Sequence, residues 1–338
     1  MIKRLTPALL ALALAGPACA QTASVTAPAA PDLVAEAGAQ EKVLVVGQRP
    51  GPGLWKVSKG EHVLWIFGTY GPLPSKMTWR SQQVETILAQ SQEAIANPSA
   101  SPKIGILKSL SLAPHLFGLT KNPDGATLKQ LLPADVYARW EVMRKKYMAD
   151  ADMEHVRPLF AAEGLYGAGL EKAGLTTKGE VSKAIGELVK KSKIKVTSVS
   201  IEFAVDDPAA ALKMFKRAPL DDAACLSKTI GRLESDIEGM KERANAWAKG
   251  DLAEIRKLDF DDRENACKDA MMRSAAMRSA LKVDEIEPQL RAAWLAAADK
   301  ALANNASTFA ILSIKKLLDP KGVVADLQGK GYQVEIPD

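Results

Sequence analysis

The sequence predicts an α/β fold: a mixed β-sheet built from both chain ends, flanked by helices, with a large helical insertion. Two observations predict it. Apolar, β-branched and aromatic runs bounded by Gly and Pro lie near both ends, around 54–67 and 307–336, as strands require. Between them, 104–192 and 220–306 carry mostly helical patterning, and no repeat of fixed period divides the chain.

Residues 1–20 stand outside that fold. Lys3 and Arg4 form a charged start, Leu5 to Ala15 is an apolar run broken by Thr6 and Pro7, and Ala18-Cys19-Ala20 is a small-residue cleavage site before Gln21. The run is shorter than the roughly 20 apolar residues a membrane span needs. The expectation is a Sec-type signal peptide cleaved after Ala20, a periplasmic or secreted protein, and no integral membrane segment afterwards. Gly16-Pro17-Ala18 is a poor context for lipid attachment at Cys19, so a lipoprotein is not expected. Residues 21–53 read as a disordered leader and linker. Lys42–Val46 offers one short strand there before Gln48–Gly53 breaks the chain. The folded domain is expected over 54–338.

That domain opens with Leu54-Trp55-Lys56-Val57 as a strand and a hairpin turn at Ser58–Glu61. Val63–Phe67 is apolar at consecutive positions, as expected of a strand covered on both faces. Helical periodicity follows Pro74, with Trp79, Val84, Ile87 and Leu88 on one face, and Ala94–Ala96 reads as a short strand. Pro133-Ala134-Asp135 fits the first turn of a helix carrying Val136, Trp140 and Met143, and another helix runs from Val156 to about Ala173. Lys190-Lys191-Ser192-Lys193 reads as a solvated helix end. Lys193–Ile201 alternates polar and β-branched residues, the pattern of one strand. Asp207-Pro208 opens a helix, and Gly250-Asp251 and Pro288 read as helix boundaries. Ser307–Leu312 returns to strand character, Pro320 begins a last helix, and Gly331–Ile336 is a closing strand.

Composition narrows the function. At 47% hydrophobic residues the chain can bury a substantial core. Net charge is +5, of which Lys3 and Arg4 supply two, and the charges are interspersed, so nothing calls for nucleic acid. Of three cysteines, Cys19 leaves with the signal. Cys225 and Cys267 remain, and two thiols in an exported protein point to one disulfide. The alternative is two separately buried thiols.

The ordered motifs at the two ends resemble those of the TraB/GumN family, which is related to Tiki-type metalloproteases. Leu54, Trp55, Val57, the Val63–Phe67 strand, Gly68 and Thr69 match the family's opening. Phe309, Leu317, Gly322, Gly331, Tyr332 and Val334 match its close. Pro133–Tyr137, Ala173–Leu175 and Leu220–Cys225 are looser echoes between them. The resemblance implies a metal-dependent hydrolase whose ligands are one histidine in a Gly-Thr-x-His loop, one in a later Gly-x-x-His, and nearby glutamates.

The departures fall on those ligands. Gly71 stands where the first histidine is expected. Ser313-Ile314-Lys315-Lys316 replaces the second motif, with Lys316 at the histidine position. Asn97 stands where a strand-end glutamate is expected, and Glu202 keeps the mid-chain one. A zinc-type site needs about three lone-pair donors. Gly71 has no side chain, and an ammonium group at Lys316 repels a cation unless burial depresses its pKa. No metal and no cofactor are therefore expected.

The remaining candidates offer no other chemistry. His62, His115 and His155 are scattered and form no ligand pair. Ser313, Ser111 and Ser200 lack a triad context. Glu202 reads either as an acid/base relic or, preferably, as an ion-pair partner of Lys316. Gly68–Gly71 lacks the Lys-Ser/Thr ending of a phosphate loop, and Lys76 comes too late to supply it. Trp55, Trp65 and Trp79 read as core packing. The degenerate cleft is thus expected at Gly68, Thr69, Gly71, Asn97, Glu202, Ser313 and Lys316, with no catalytic residue. The function implied is a pseudoenzyme that binds a peptide or protein. The alternatives are an active hydrolase with a rebuilt site and a purely structural envelope component.

Overall fold

A computed structural model describes residues 53–77, 79, 81–218, 222–257, 266–267 and 283–337. The expected signal peptide, the leader, the Lys42–Val46 strand and the Leu220-Asp221 part of one motif lie outside the described residues.

The hairpin forms as expected from β1 (Leu54–Lys59) and β2 (His62–Thr69). It turns at Gly60, whose φ of +58° lies in the left-handed region that favours glycine. There follow β3 (Leu73–Pro74), α1 (Gln82–Gln90), β4 (Glu93–Ile95) and β5 (Ser99–Lys103). The helical insertion begins with α2 (Ile106–Leu116), α3 (Leu128–Leu131), α4 (Ala134–Tyr147) and α5 (Pro158–Lys172). After β6 (Leu175–Thr176) and α6 (Glu180–Ser192) come β7 (Lys195–Thr197) and β8 (Ser200–Ala204). Helices α7 (Pro208–Arg217), α8 (Ala223–Ser235), α9 (Ile237–Lys249), α10 (Leu252–Arg256) and α11 (Val283–Asn304) lead to β9 (Ser307–Ser313). Helices α12 (Ile314–Leu318) and α13 (Val323–Gly329) and strand β10 (Gln333–Glu335) close the chain.

Six strands form one mixed sheet in the order β10-β1-β2-β9-β4-β7. Strand β1 is antiparallel to both neighbours, whereas β2, β9, β4 and β7 run parallel. The expectation of a sheet built from both chain ends therefore holds: β9, from the far end, inserts between β2 and β4. Consecutive residues Ile66-Phe67 and Phe309-Ala310 are all fully buried, so the sheet is covered on both faces. Trp55 is fully buried in this core; Trp65 and half-buried Trp79 pack against it, the latter 5.5 Å from the Phe67 ring.

At the amino end of β4, Glu93 ties that strand to β7 and to the segment that enters β9. Its carboxylate accepts hydrogen bonds from Thr197, from Lys195 (3.0 Å) and from Asn305 (2.8 Å). Burial pushes this carboxyl up, but the three donors outweigh burial and hold it below its ordinary value.

The insertion has a core of its own. Leu128, Trp140, Leu159, Leu165, Leu226 and Ile230 are buried together, along with Cys225 and Cys267. Those two cysteines form a disulfide.

Five sequence expectations need correction. Trp79 is not on the face of the first helix, because α1 begins at Gln82 and Trp79 precedes it. Lys193–Ile201 is not one strand: β7 joins the main sheet while β8 pairs with β5 in a separate two-stranded sheet. Pro133 is the N-cap of α4 rather than its first helical residue. Pro288 lies inside α11, not at its boundary. Residues 284–289 are largely exposed and the packed stripe of Leu290, Trp294, Ala298 and Leu302 starts just afterwards, so the proline marks where packing begins. Pro320 sits between α12 and α13, and the last helix starts at Val323.

Candidate functional site

Ligands in open α/β sheets gather beyond the carboxyl ends of parallel strands, where neighbouring connections diverge. Here the register pairs Thr69 at the end of β2 with Ser313 at the end of β9, so two motifs 244 residues apart in sequence become neighbours. The Thr69 hydroxyl donates to the Leu312 carbonyl at 3.3 Å.

Gly68 is needed for close approach. A Cβ there would lie 2.8 Å from the Trp55 ring, and its carbonyl accepts the Trp247 Nε1–H at 2.8 Å. Helix α9 thereby holds the loop that follows β2. Residues Asp236, Met240, Arg243 and Trp247 recur at steps of four, three and four, which places them on one side of the helix. That side reaches the loop through Trp247 at Gly68 and through Arg243, which hydrogen-bonds the Tyr70 hydroxyl.

At the end of β9 the chain turns directly into α12, with Ser313 as its N-cap. Successive helical residues then diverge by about 100°. Ile314 and Leu317 are buried, and consecutive Lys315 and Lys316 line different clefts. The end of β9 thus parts two clefts.

The first has a volume of about 210 Å³ and is formed by Thr69–Pro72, Ser313–Lys315, Tyr166, Met240 and two arginines, Arg232 and Arg243. Arg243 is only 2% exposed. It pairs with Asp236, and Arg232 Nε donates to the same carboxylate oxygen at 2.9 Å. Burial pulls the Arg243 guanidinium down, but Asp236 outweighs it and the group is held above its ordinary value, firmly cationic. Burial pushes the Tyr70 phenol up to about 12 against the opposing pull of Arg243, so it stays a neutral hydroxyl.

The second cleft contains Lys316, Pro98, Trp294, Glu287 and Arg291. Lys316 Nζ lies 2.7 Å from Glu287 Oε1. The expected pairing of Lys316 with Glu202 is therefore corrected: Glu202 sits on β8 with a largely exposed side chain, 3.9 Å from Lys103. Asn97 is exposed just past β4, next to Pro98.

The structure accordingly brings Gly68, Thr69, Gly71 and Ser313 to one strand-end region, Lys316 and the neighbour of Asn97 to the adjoining cleft, and Glu202 to neither. His62 begins β2, His115 lies on α2, and His155 hydrogen-bonds the Gly125 carbonyl at 3.1 Å; none of them lines either cleft. Among the described residues no three His, Cys, Asp or Glu side chains converge as metal ligands would. The first cleft is lined by guanidinium, ammonium, phenol and hydroxyl groups, with no carboxylate or imidazole in its wall. That donor set suits an anion and does not suit a divalent cation.

Sequence reasoning passed over Arg232, Arg243, Tyr166 and Lys315. The signal was present as an arginine set between Met240 and Trp247 on one helix side, where an apolar residue would be ordinary. No helix among the described residues is long and apolar enough to cross a membrane. Searches of curated proteins and of solved structures found no match. A model of the TraB/PrgY/gumN family does match, over residues 53–336, which spans β1 through β10. With both terminal motifs and the whole sheet inside that match, the chain belongs to the TraB/PrgY/gumN family.

Proposed function

We propose that this is an exported envelope protein, periplasmic or secreted after cleavage behind Ala20, that binds a peptide or protein and does not hydrolyse it with a metal. The observation that carries this reading is the wall of the cleft between β2 and β9. Arg232, Arg243 and Tyr70 occupy a position where metal-dependent hydrolysis needs lone-pair donors. A cation entering there meets two guanidinium groups that share one carboxylate, Asp236. Lys316, at the second histidine position of the resemblance, is engaged by Glu287.

The test is metal analysis of the purified mature chain together with peptide hydrolysis before and after chelation. The expected result is metal well below one equivalent and no chelator-sensitive hydrolysis. Stoichiometric zinc, manganese or cobalt with hydrolysis abolished by chelator overturns the reading. Amino-terminal sequencing of the exported fraction is expected to begin at Gln21; an intact Met1 in that fraction overturns the cleavage.

A further inference from the structure

From the geometry of the arginine-lined cleft we infer an oxyanion subsite, whose ligand is the free carboxyl end of a peptide. The inference deepens the binding reading above and rests on it for the peptide, but the oxyanion chemistry stands on the cleft alone.

Four observations converge. Arg243 is almost wholly buried yet lines the cleft, so its guanidinium is fixed in the wall and not free in solvent. Arg232 and Arg243 donate to one carboxylate oxygen of Asp236, which holds the two guanidinium groups side by side at the cleft. Tyr70 presents a phenol that stays protonated up to about pH 12 beside them, joined in the same wall by the Thr69 and Ser313 side chains. The cavity is about 210 Å³. Drug-sized sites take roughly 300–1,000 Å³, so the space suits one head group with the rest of the ligand outside. A planar guanidinium fork matches a carboxylate in two parallel hydrogen bonds. A phosphate monoester shares that chemistry and is the competing source.

The arginine Nε–H resonances of the full mature chain read the site directly, with the Arg243 signal assigned by its loss in Arg243→Lys. The probes are acetyl-trialanine with a free carboxyl end, the same peptide amidated, and inorganic phosphate, all at one ionic strength. Saturable movement of the Arg243 signal with the acid, tighter than with phosphate and absent with the amide, is expected. Arg243→Met should weaken the acid about tenfold or more, as loss of a charged hydrogen-bond partner does. Arg232→Gln, whose side chain is partly exposed, should weaken it by a smaller factor and covers the case in which Arg243→Met fails to fold. Equal binding of the amide, or no saturable movement with any probe, overturns the subsite. Phosphate binding more tightly than the acid overturns the peptide carboxyl as its source. Metal content and hydrolysis are read separately, so either proposal can fail while the other stands.

Discussion

Arg157 and Arg243 are equally buried, at 2% exposure each, and do opposite things. Arg157 lies in the helical lobe, where Nη1 donates to the Phe215 carbonyl at 2.7 Å and Nη2 to the Ala218 carbonyl at 2.8 Å. Its guanidinium stacks on the Phe215 ring, and its Nε looks onto Asp222 at 3.7 Å. Burial pulls Arg157 down and pushes Asp222 up, each against the attraction of the other. The group is spent on backbone carbonyls that would otherwise be buried unpaired. Arg243 instead shares its acid with Arg232 and stands in the wall of an open cleft. Burial of a charge therefore does not mark a site; a place in the wall of a cleft does.

The sharpest way to break that comparison is to remove each guanidinium in turn. Arg157→Met leaves Asp222 buried without its cation and two carbonyls without donors, and should cost about 3–5 kcal/mol of unfolding free energy. Arg243→Met leaves Asp236 with Arg232 and a partly exposed carboxylate, so about 1–2 kcal/mol is expected. Urea unfolding of the two variants measures the difference. Equal losses would show that Arg243 is as structural as Arg157.

Next in size is the disulfide between Cys225 and Cys267, which lies in the same lobe core as Trp140 and Leu165. Replacing both cysteines by alanine releases a loop of about 40 residues in the unfolded chain and should cost about 2–4 kcal/mol. The denaturant midpoint should fall, while the Arg243 response to acetyl-trialanine persists, because the bridge belongs to the lobe and not to the cleft. Loss of that response in a folded double variant would tie lobe and cleft together.

How much of this was legible in the sequence depended on whether a signal was local. The β1–β2 hairpin, the buried faces of α1 and α4, the caps at Asp207 and Gly250-Asp251, and the strand at Ser307 are written in spacing and turn chemistry, and they form. Pairing parity anticipated the disulfide. The split of Lys193–Ile201 into two sheets was not legible, because one alternating run cannot say which neighbour each half will find. Pro288 misled because proline marks boundaries only on average, and here the helix around it is solvent-exposed. Of the cleft lining, Thr69, Gly71 and Ser313 at the ends of β2 and β9 were named from the sequence, since the resemblance tracks the sheet. The arginines were missed because they come from the helical stretch, where none of the looser echoes includes them, and reach the cleft only through tertiary packing. Lys316 was assigned to the wrong partner because reading a motif linearly ignores the turn of the helix it begins.

Tyr70 offers a smaller, pH-dependent test of how closely Arg243 and the loop are coupled. Its folded pKa lies near 12, above the ordinary value of 10.0. A group raised on folding contributes stability that is fully present below its ordinary pKa and lost as pH rises through the folded one. The contribution should therefore be intact up to about pH 10 and decline towards pH 12. Urea unfolding compared between the native chain and Tyr70→Phe across that window should show a steeper alkaline loss in the native chain. Parallel profiles would mean the phenol is not buried against Arg243.

The smallest effect is expected at Lys316, and it decides whether there are two clefts or one. The Lys316–Glu287 pair is partly solvated, with side chains 31% and 62% exposed. Such pairs contribute about 0–1 kcal/mol, so Lys316→Ala should barely move the urea midpoint. It should also leave the Arg243 signal responding to acetyl-trialanine as before, because Lys316 pairs with Glu287 in the second cleft while Lys315 lines the first cleft with the arginines. Lys315→Ala, one residue earlier and about 100° away around α12, should weaken that response. If Lys316→Ala instead weakens binding as much as Arg232→Gln, the helix turn at Ser313 does not separate the two lysines, and the histidine positions of the resemblance would share one cavity after all.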